Sequence, residues 1–91
     1  MKIEFDAVKS QKNADERQLP FDLVDGFDWD VTIMVEDTRK PYPERRFEAV
    51  EPIGERLHVV VLAAITGGIR VIRFRKANLR EEKRDEKSRT A

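Results

Sequence analysis

Residues 56–65, Arg-Leu-His-Val-Val-Val-Leu-Ala-Ala-Ile, constrain the fold of this chain more than any other stretch. Val59 to Ile65 is an unbroken apolar run of seven residues. A membrane-spanning helix needs about 20, so the run belongs inside a water-soluble fold. It is rich in branched side chains and apolar on both faces, which is the pattern of a central strand. Thr66-Gly67-Gly68 follows directly and carries the glycine-pair signal of a tight hairpin. Ile69 to Phe74 then makes the returning strand. A strict period of two puts Arg73 and Arg75 on one of its faces and Arg70, Ile72 and Phe74 on the other.

The flanking sequence extends this hairpin into a sheet. Val31, Ile33 and Val35 alternate with Thr32, Met34 and Glu36, and Glu44 to Val50 forms another strand with Phe47 and Ala49 on one face. Asp37 to Pro43 connects the two, and Glu51-Pro52-Ile53-Gly54 reads as a turn. Lys2 to Phe5 is a short strand, after which Asp6 offers a side-chain cap to a polar helix over Ala7 to Arg17. Leu19-Pro20 breaks that helix and starts a second, with Phe21, Leu23 and Val24, that ends at Asp25-Gly26. Phe27 and Trp29 read as core beneath the sheet, with a base-stacking platform as the alternative. Beyond Arg75 the pattern turns helical, with Asn78 or a residue just before it as cap. The fold class is therefore α+β. It has a short N-terminal strand, two small helices, a four-stranded antiparallel meander and a C-terminal helix, in one domain over 1–91 whose last residues, about 85–91, form a frayed tail.

Charge narrows the function. The 18 basic and 18 acidic residues cancel in sum but not in place. From Ile69 to Ala91 nine basic residues face four acids, a net +5, and the first 68 residues carry −5. Such asymmetry points to a polyanionic or acidic partner. The absence of cysteine excludes a disulfide framework, a thiolate nucleophile and a cysteine zinc site. A single histidine excludes a multi-histidine metal centre. The N-terminus lacks the apolar stretch of a signal peptide, so a cytoplasmic location without membrane attachment is the expectation.

Several segments together resemble the BrnT family of bacterial type II toxins. They are Met1-Lys2-Ile3-Glu4-Phe5-Asp6; Asn13 followed by Leu19-Pro20-Phe21; Glu36-Asp37-Thr38-Arg39 with Tyr42 and Glu44-Arg45-Arg46-Phe47; Gly54 to Val61; and Gly68 to Ile72 through Arg75-Lys76-Ala77-Asn78 and Arg80-Glu81. The resemblance implies a RelE-like fold and a metal-independent endoribonuclease that needs no cofactor and inhibits translation by cutting RNA. It also implies a cognate BrnA-like ribbon-helix-helix antitoxin, hetero-oligomeric with the toxin, through which DNA is contacted only indirectly. Arg17-Gln18 stands where the family often has His-Gly, Pro43 where it has Gly, Arg73 where it often has Ser, and Asp85 near a common Tyr. These departures support an alternative, a weakly active or inactive member that binds antitoxin or RNA.

Cleavage through the ribose 2′-hydroxyl requires a base, an acid and cations for the phosphorane charge. Arginine supplies paired donors to phosphate but stays protonated. Arg70, Arg75, His58, Arg46 and Glu81 are the candidate catalytic residues, and Arg73, Lys76 and Arg80 the candidate RNA contacts. His58 is either a proton-transfer group or a satisfied core histidine. Arg46 reaches RNA or pairs with a neighbouring acid. Glu81 orients an arginine or pairs along its own helix. Tyr42 stacks on a base or packs a turn.

Overall fold

The computed structural model describes residues 2–30 and 32–90, the last three by backbone alone. Val31, expected to open a strand, and Ala91 lie outside the described residues. The elements in chain order are β1 (Lys2–Phe5), α1 (Ala7–Arg17), a 3-10 turn (Phe21–Gly26), β2 (Ile33–Asp37), β3 (Arg46–Ile53), β4 (Arg56–Ile65), β5 (Gly68–Lys76) and α2 (Leu79–Thr90). They form one five-stranded sheet in the order β1-β5-β4-β3-β2. Strands β2 to β5 make the expected antiparallel meander, with β4 at the centre. The N-terminal strand is not separate from it: β1 pairs in parallel with β5, so the sheet is mixed.

Two local outcomes differ from the sequence reading. First, β3 continues through Pro52 to Ile53, and the turn is only Gly54-Glu55, with Gly54 at φ 63°. Pro52 lies near the strand end, where a missing N–H is tolerated. Second, the β4–β5 turn is Thr66-Gly67, and Gly68 already belongs to β5. A Cβ on Gly68 would overlap the Lys2 carbonyl, so this glycine serves the docking of β1. At the other end of the chain, α2 is helical as far as Thr90.

The largest correction lies within β5. Val61 pairs with Arg73, but Leu62 pairs with Val71, leaving Ile72 as an extra residue. This bulge shifts the phase of the strand. Ile69, Val71 and Phe74 now share the buried face, opposite Ala64, Leu62 and Val60. Arg70, Arg73 and Arg75 share the other face, opposite Ala63, Val61 and Val59. The expected division, with Arg70 beside Phe74, is overturned because the strict period of two does not survive an inserted residue.

The buried face carries the main core. Leu19, Phe21, Val24 and Phe27 pack on Ala49, Val60, Leu62, Ile69, Val71 and Phe74. Phe27 meets Phe74 edge-on at 5.9 Å and Trp29 at 5.4 Å. Asp6 caps α1 by accepting from the Val8 and Lys9 amides. Two polar side chains of α1 then fasten it to the rest. Ser10 Oγ accepts from the Phe21 amide, and Asn13 Nδ2 donates to the Leu19 and Phe74 carbonyls at 2.6 and 2.9 Å. On the opposite side of the sheet a smaller cluster, Leu57, Val59 and Ala77 with Val50, seats the start of α2.

Replacing Gly68 by Ala is expected to lower stability by about 1–3 kcal/mol, the usual cost of forcing atoms into a filled space. Urea denaturation reads this as a lower midpoint. An unchanged midpoint would contradict the close docking of β1 on β5.

Candidate functional site

The non-core face of the sheet carries rows of side chains set by register. One row runs Asp37, Arg46, Ala63, Arg70 and Glu4 across all five strands. The next is Val35, Glu48, Val61 and Arg73, and the next Ile33, Val50, Val59 and Arg75. Helix α2 leans over the last of these. Between it and β2–β3 lies a groove of about 540 Å³. Ile33, Val35 and Val50 give it an apolar wall, and Arg39, Arg75, Arg80 and Arg84 line it together with Glu36, Asp37, Glu48, Glu81 and Asp85.

A chain of carboxylates and guanidinium groups crosses this groove. Asn78 and Glu81 form a capping box: the Glu81 amide donates to Asn78 Oδ1 (2.8 Å) and the Asn78 amide to Glu81 Oε1 (2.9 Å). The same carboxylate takes two bonds from Arg75, at 2.7 and 2.9 Å. Arg75 approaches Glu48 at 3.9 Å, and Glu48 approaches Arg39 at the same distance. Arg39 in turn forms a paired contact with Asp37 at 2.9 Å for each bond, and the Tyr42 hydroxyl donates to Asp37 at 3.1 Å.

Electrostatics follow from these contacts. The Arg75 guanidinium holds the Glu81 carboxyl down to about 2, against partial burial and with help from the Asn78 amide. The Arg39 contacts hold Asp37 well below the usual carboxylate range. Both groups are ionised at neutral pH, so neither has a proton to give to a leaving oxygen. Arg75 is raised by the same bond to Glu81.

The structure brings together only part of the expected set. Arg75, Glu81 and Arg80 share the groove. Arg70 lies in the Ala63 row, about 13 Å along β4 from the Val59 row of Arg75 at ~3.3 Å per residue. It is gripped there by Glu4 at 3.0 Å and Glu44 at 3.2 Å. Arg73 projects from the row between them. Arg46 shares the Arg70 row, and its guanidinium lies 4.3 Å over the Tyr42 ring. Lys76 lies opposite His58 on the core-side row.

His58 is not brought to the groove. It is buried on the opposite side of the sheet, with its ring 5.7 Å from Phe74. Nδ1 donates to the Arg56 carbonyl at 2.8 Å. Burial, followed by the nearby charges of Lys76 and Arg56, lowers its pKa despite that hydrogen bond. Asp37, Arg39 and Glu48, by contrast, enter the groove without having been singled out from the sequence. The signal available for them was the Asp37-x-Arg39 spacing with Tyr42 nearby.

Fold and groove together define a small α+β domain that offers a charged cleft, with one apolar wall, on an open sheet face. Residues 5–81 match the family described as ribonuclease toxin, BrnT, of type II toxin-antitoxin systems, and the chain belongs to that family. Its family is thus one of ribonuclease toxins whose partner class is a protein antitoxin. No curated protein sequence matches the chain significantly. Among the described residues no helix is long and apolar enough to cross a membrane.

The Glu81 pairing has a pH signature. A carboxyl that titrates at 4.5 unfolded and about 2 folded stabilises the fold fully above 4.5. That contribution is lost as pH falls through the folded value. Urea midpoints measured from pH 6 to 2 are therefore expected to fall less steeply below 4.5 for Glu81→Gln than for the parent chain. Parallel profiles would contradict the pairing.

Proposed function

We propose that this chain is a metal-independent endoribonuclease of RelE-like type that blocks translation by cutting RNA in the cytoplasm. The observation that carries the reading is the groove between β2–β3 and α2, where four guanidinium groups face an apolar wall. Phosphate suits the guanidinium groups, and a base exposed from its stack suits the wall. Asp37 and Glu81, held ionised by Arg39 and Arg75, orient those arginines rather than donate protons. Catalysis then rests on positioning and on stabilising the phosphorane charge, with Arg75 nearest the reacting phosphate and Arg46, Arg70, Arg73 and Arg80 along the strand's path. A BrnA-like ribbon-helix-helix antitoxin covers this face and supplies the contact to DNA.

One observation favours a second reading, a member that binds RNA or antitoxin without turnover. Arg70 and Arg75 each contact two carboxylates, and the single histidine lies on the other side of the sheet. Both readings share the groove and differ in the fate of the RNA.

Purified protein is expected to degrade single-stranded RNA in the presence of EDTA. Arg75→Ala is expected to slow the reaction at least tenfold, in line with loss of a charge-stabilising group, with folding checked by circular dichroism. His58→Gln is expected to keep the rate within about threefold, because a positioned acid or base would cost at least ~100-fold. RNA left intact at molar excess of folded protein contradicts the nuclease reading and favours the binding one.

A further inference from the structure

Asp37 is the last residue of β2, and its side chain is only 4% exposed, while that of Arg39 is 75% exposed. The contact between them uses Arg39 Nε and one Nη2 hydrogen. A guanidinium has five N–H donors in a fixed plane, so three remain, on the edge turned away from Asp37. Arg75 differs: Glu81 occupies both of its Nη atoms, the Lys76 carbonyl lies 3.4 Å from Nη1, and its side chain is 23% exposed. Of the two arginines joined through Glu48, Arg39 has more donors free, three against two, and is far more open to solvent.

Tyr42 ties a second guanidinium to the same place. Its hydroxyl fixes Asp37, and its ring lies under Arg46 at 4.3 Å. Arg46 sits directly across from Asp37 in the β2–β3 ladder. Among the described residues Arg46 has no carboxylate partner, and its Nε is buried without an acceptor. An unmatched buried donor is rare in a folded protein, and with no acid paired to it this guanidinium is not committed to an internal partner. A stability role explains little of this, since an ion pair at so exposed an arginine contributes little.

We propose that Asp37 and Tyr42 are positioning residues that present Arg39, with Arg46 beside it, as a two-guanidinium grip on a backbone phosphate of single-stranded RNA. This rests on RNA being the substrate of the groove. The neighbouring wall of Ile33 and Val35 takes the attached base, which a duplex would keep stacked inside its helix. The gripped phosphate is next to the one at Arg75, so the grip serves binding and register rather than bond cleavage.

The test uses the full chain and a fluorescent single-stranded RNA made entirely of 2′-O-methyl nucleotides, which lacks the attacking hydroxyl and stays uncut. Anisotropy titrations at several salt concentrations give both the affinity and the slope of log K against log salt. Removing one cation that neutralises a phosphate lowers the magnitude of that slope by about 0.7 on a single strand. Arg39→Ala is expected to weaken binding about tenfold and to lower the slope by that amount. Tyr42→Phe, which changes no charge and keeps the ring, is expected to weaken binding about threefold. Tyr42→Leu, which also removes the support under Arg46, weakens it further. Lys40→Ala, which removes a charge from the same loop, is expected to change binding less than twofold. On cleavable RNA, Arg39→Ala raises KM and leaves kcat near the parent value.

Parent protein that binds RNA while Arg39→Ala binds as well overturns the grip alone. An Arg39→Ala effect matched by Lys40→Ala also overturns it, since that is general charge. Parent protein that binds no RNA overturns the RNA reading, and the grip with it. Thermal melting of each variant separates a folding defect from a weakened grip. If Tyr42→Leu does not fold, the comparison of Tyr42→Phe with Lys40→Ala decides.

Discussion

One inserted residue in β5 determines what the rest of the molecule can do. Without the bulge at Ile72, Arg70 would share the face of Phe74, and a guanidinium would be forced toward the main core. With it, Val71 and Phe74 both reach the buried face, and Arg70, Arg73 and Arg75 all turn outward. Burying Phe74 fixes this arrangement energetically, because a fully buried aromatic ring contributes several kcal/mol through area and ring contacts, on the order of 2–3. Asn13 reinforces the site by bonding the Phe74 carbonyl from α1. The row of arginines is therefore a consequence of packing on the other side of the sheet.

The charge asymmetry along the chain acquires a different meaning once folded. The acidic first part and the basic last part lie against each other. Glu4 and Glu44 hold Arg70, and Glu48 joins Glu81 on Arg75. The groove carries four arginines and five carboxylates, so it is not a strongly positive funnel. The proposed binding of phosphate there rests on directed donors rather than on net charge, since a fixed fork of N–H groups discriminates by geometry. The same mixture of signs suits a protein partner that must cover the face, because it can answer both.

Much of this was legible in the sequence. Strand β4 has the expected bounds, because an apolar run over seven of its ten residues, on both faces, leaves no other place for it. Strand β1, helix α1 with its Asp6 cap, the short helix after Pro20, which is 3-10, and the Asn78 cap were each marked by local chemistry. Less legible were the features that depend on pairing between distant strands. The bulge has no residue signature in Val71-Ile72-Arg73, and the parallel seat of β1 shows only in the second glycine of Thr66-Gly67-Gly68. For the candidate site, Arg75, Arg80 and Glu81 were readable as a basic strand–helix block. The side of the sheet occupied by His58 was not, because Val59 to Ile65 is apolar on both faces and gives no direction. Asp37, Arg39 and Tyr42 were visible as part of a family-like segment, but their meeting with Glu48 and Arg46 depends on the pairing of β2 with β3, which no local pattern showed.

The groove between β2–β3 and α2, and not the His58 side of the sheet, is the working surface that the proposed function requires. Nuclear magnetic resonance of the chain labelled at arginine Nε and backbone amides, titrated with an uncleavable single-stranded RNA, tests this most directly. Arg39, Arg46, Arg75 and Arg80 are expected to shift together, along with the amides of Ile33 to Asp37, while His58 and α1 stay still. Shifts concentrated around His58 and α1, with those arginines unmoved, would contradict it.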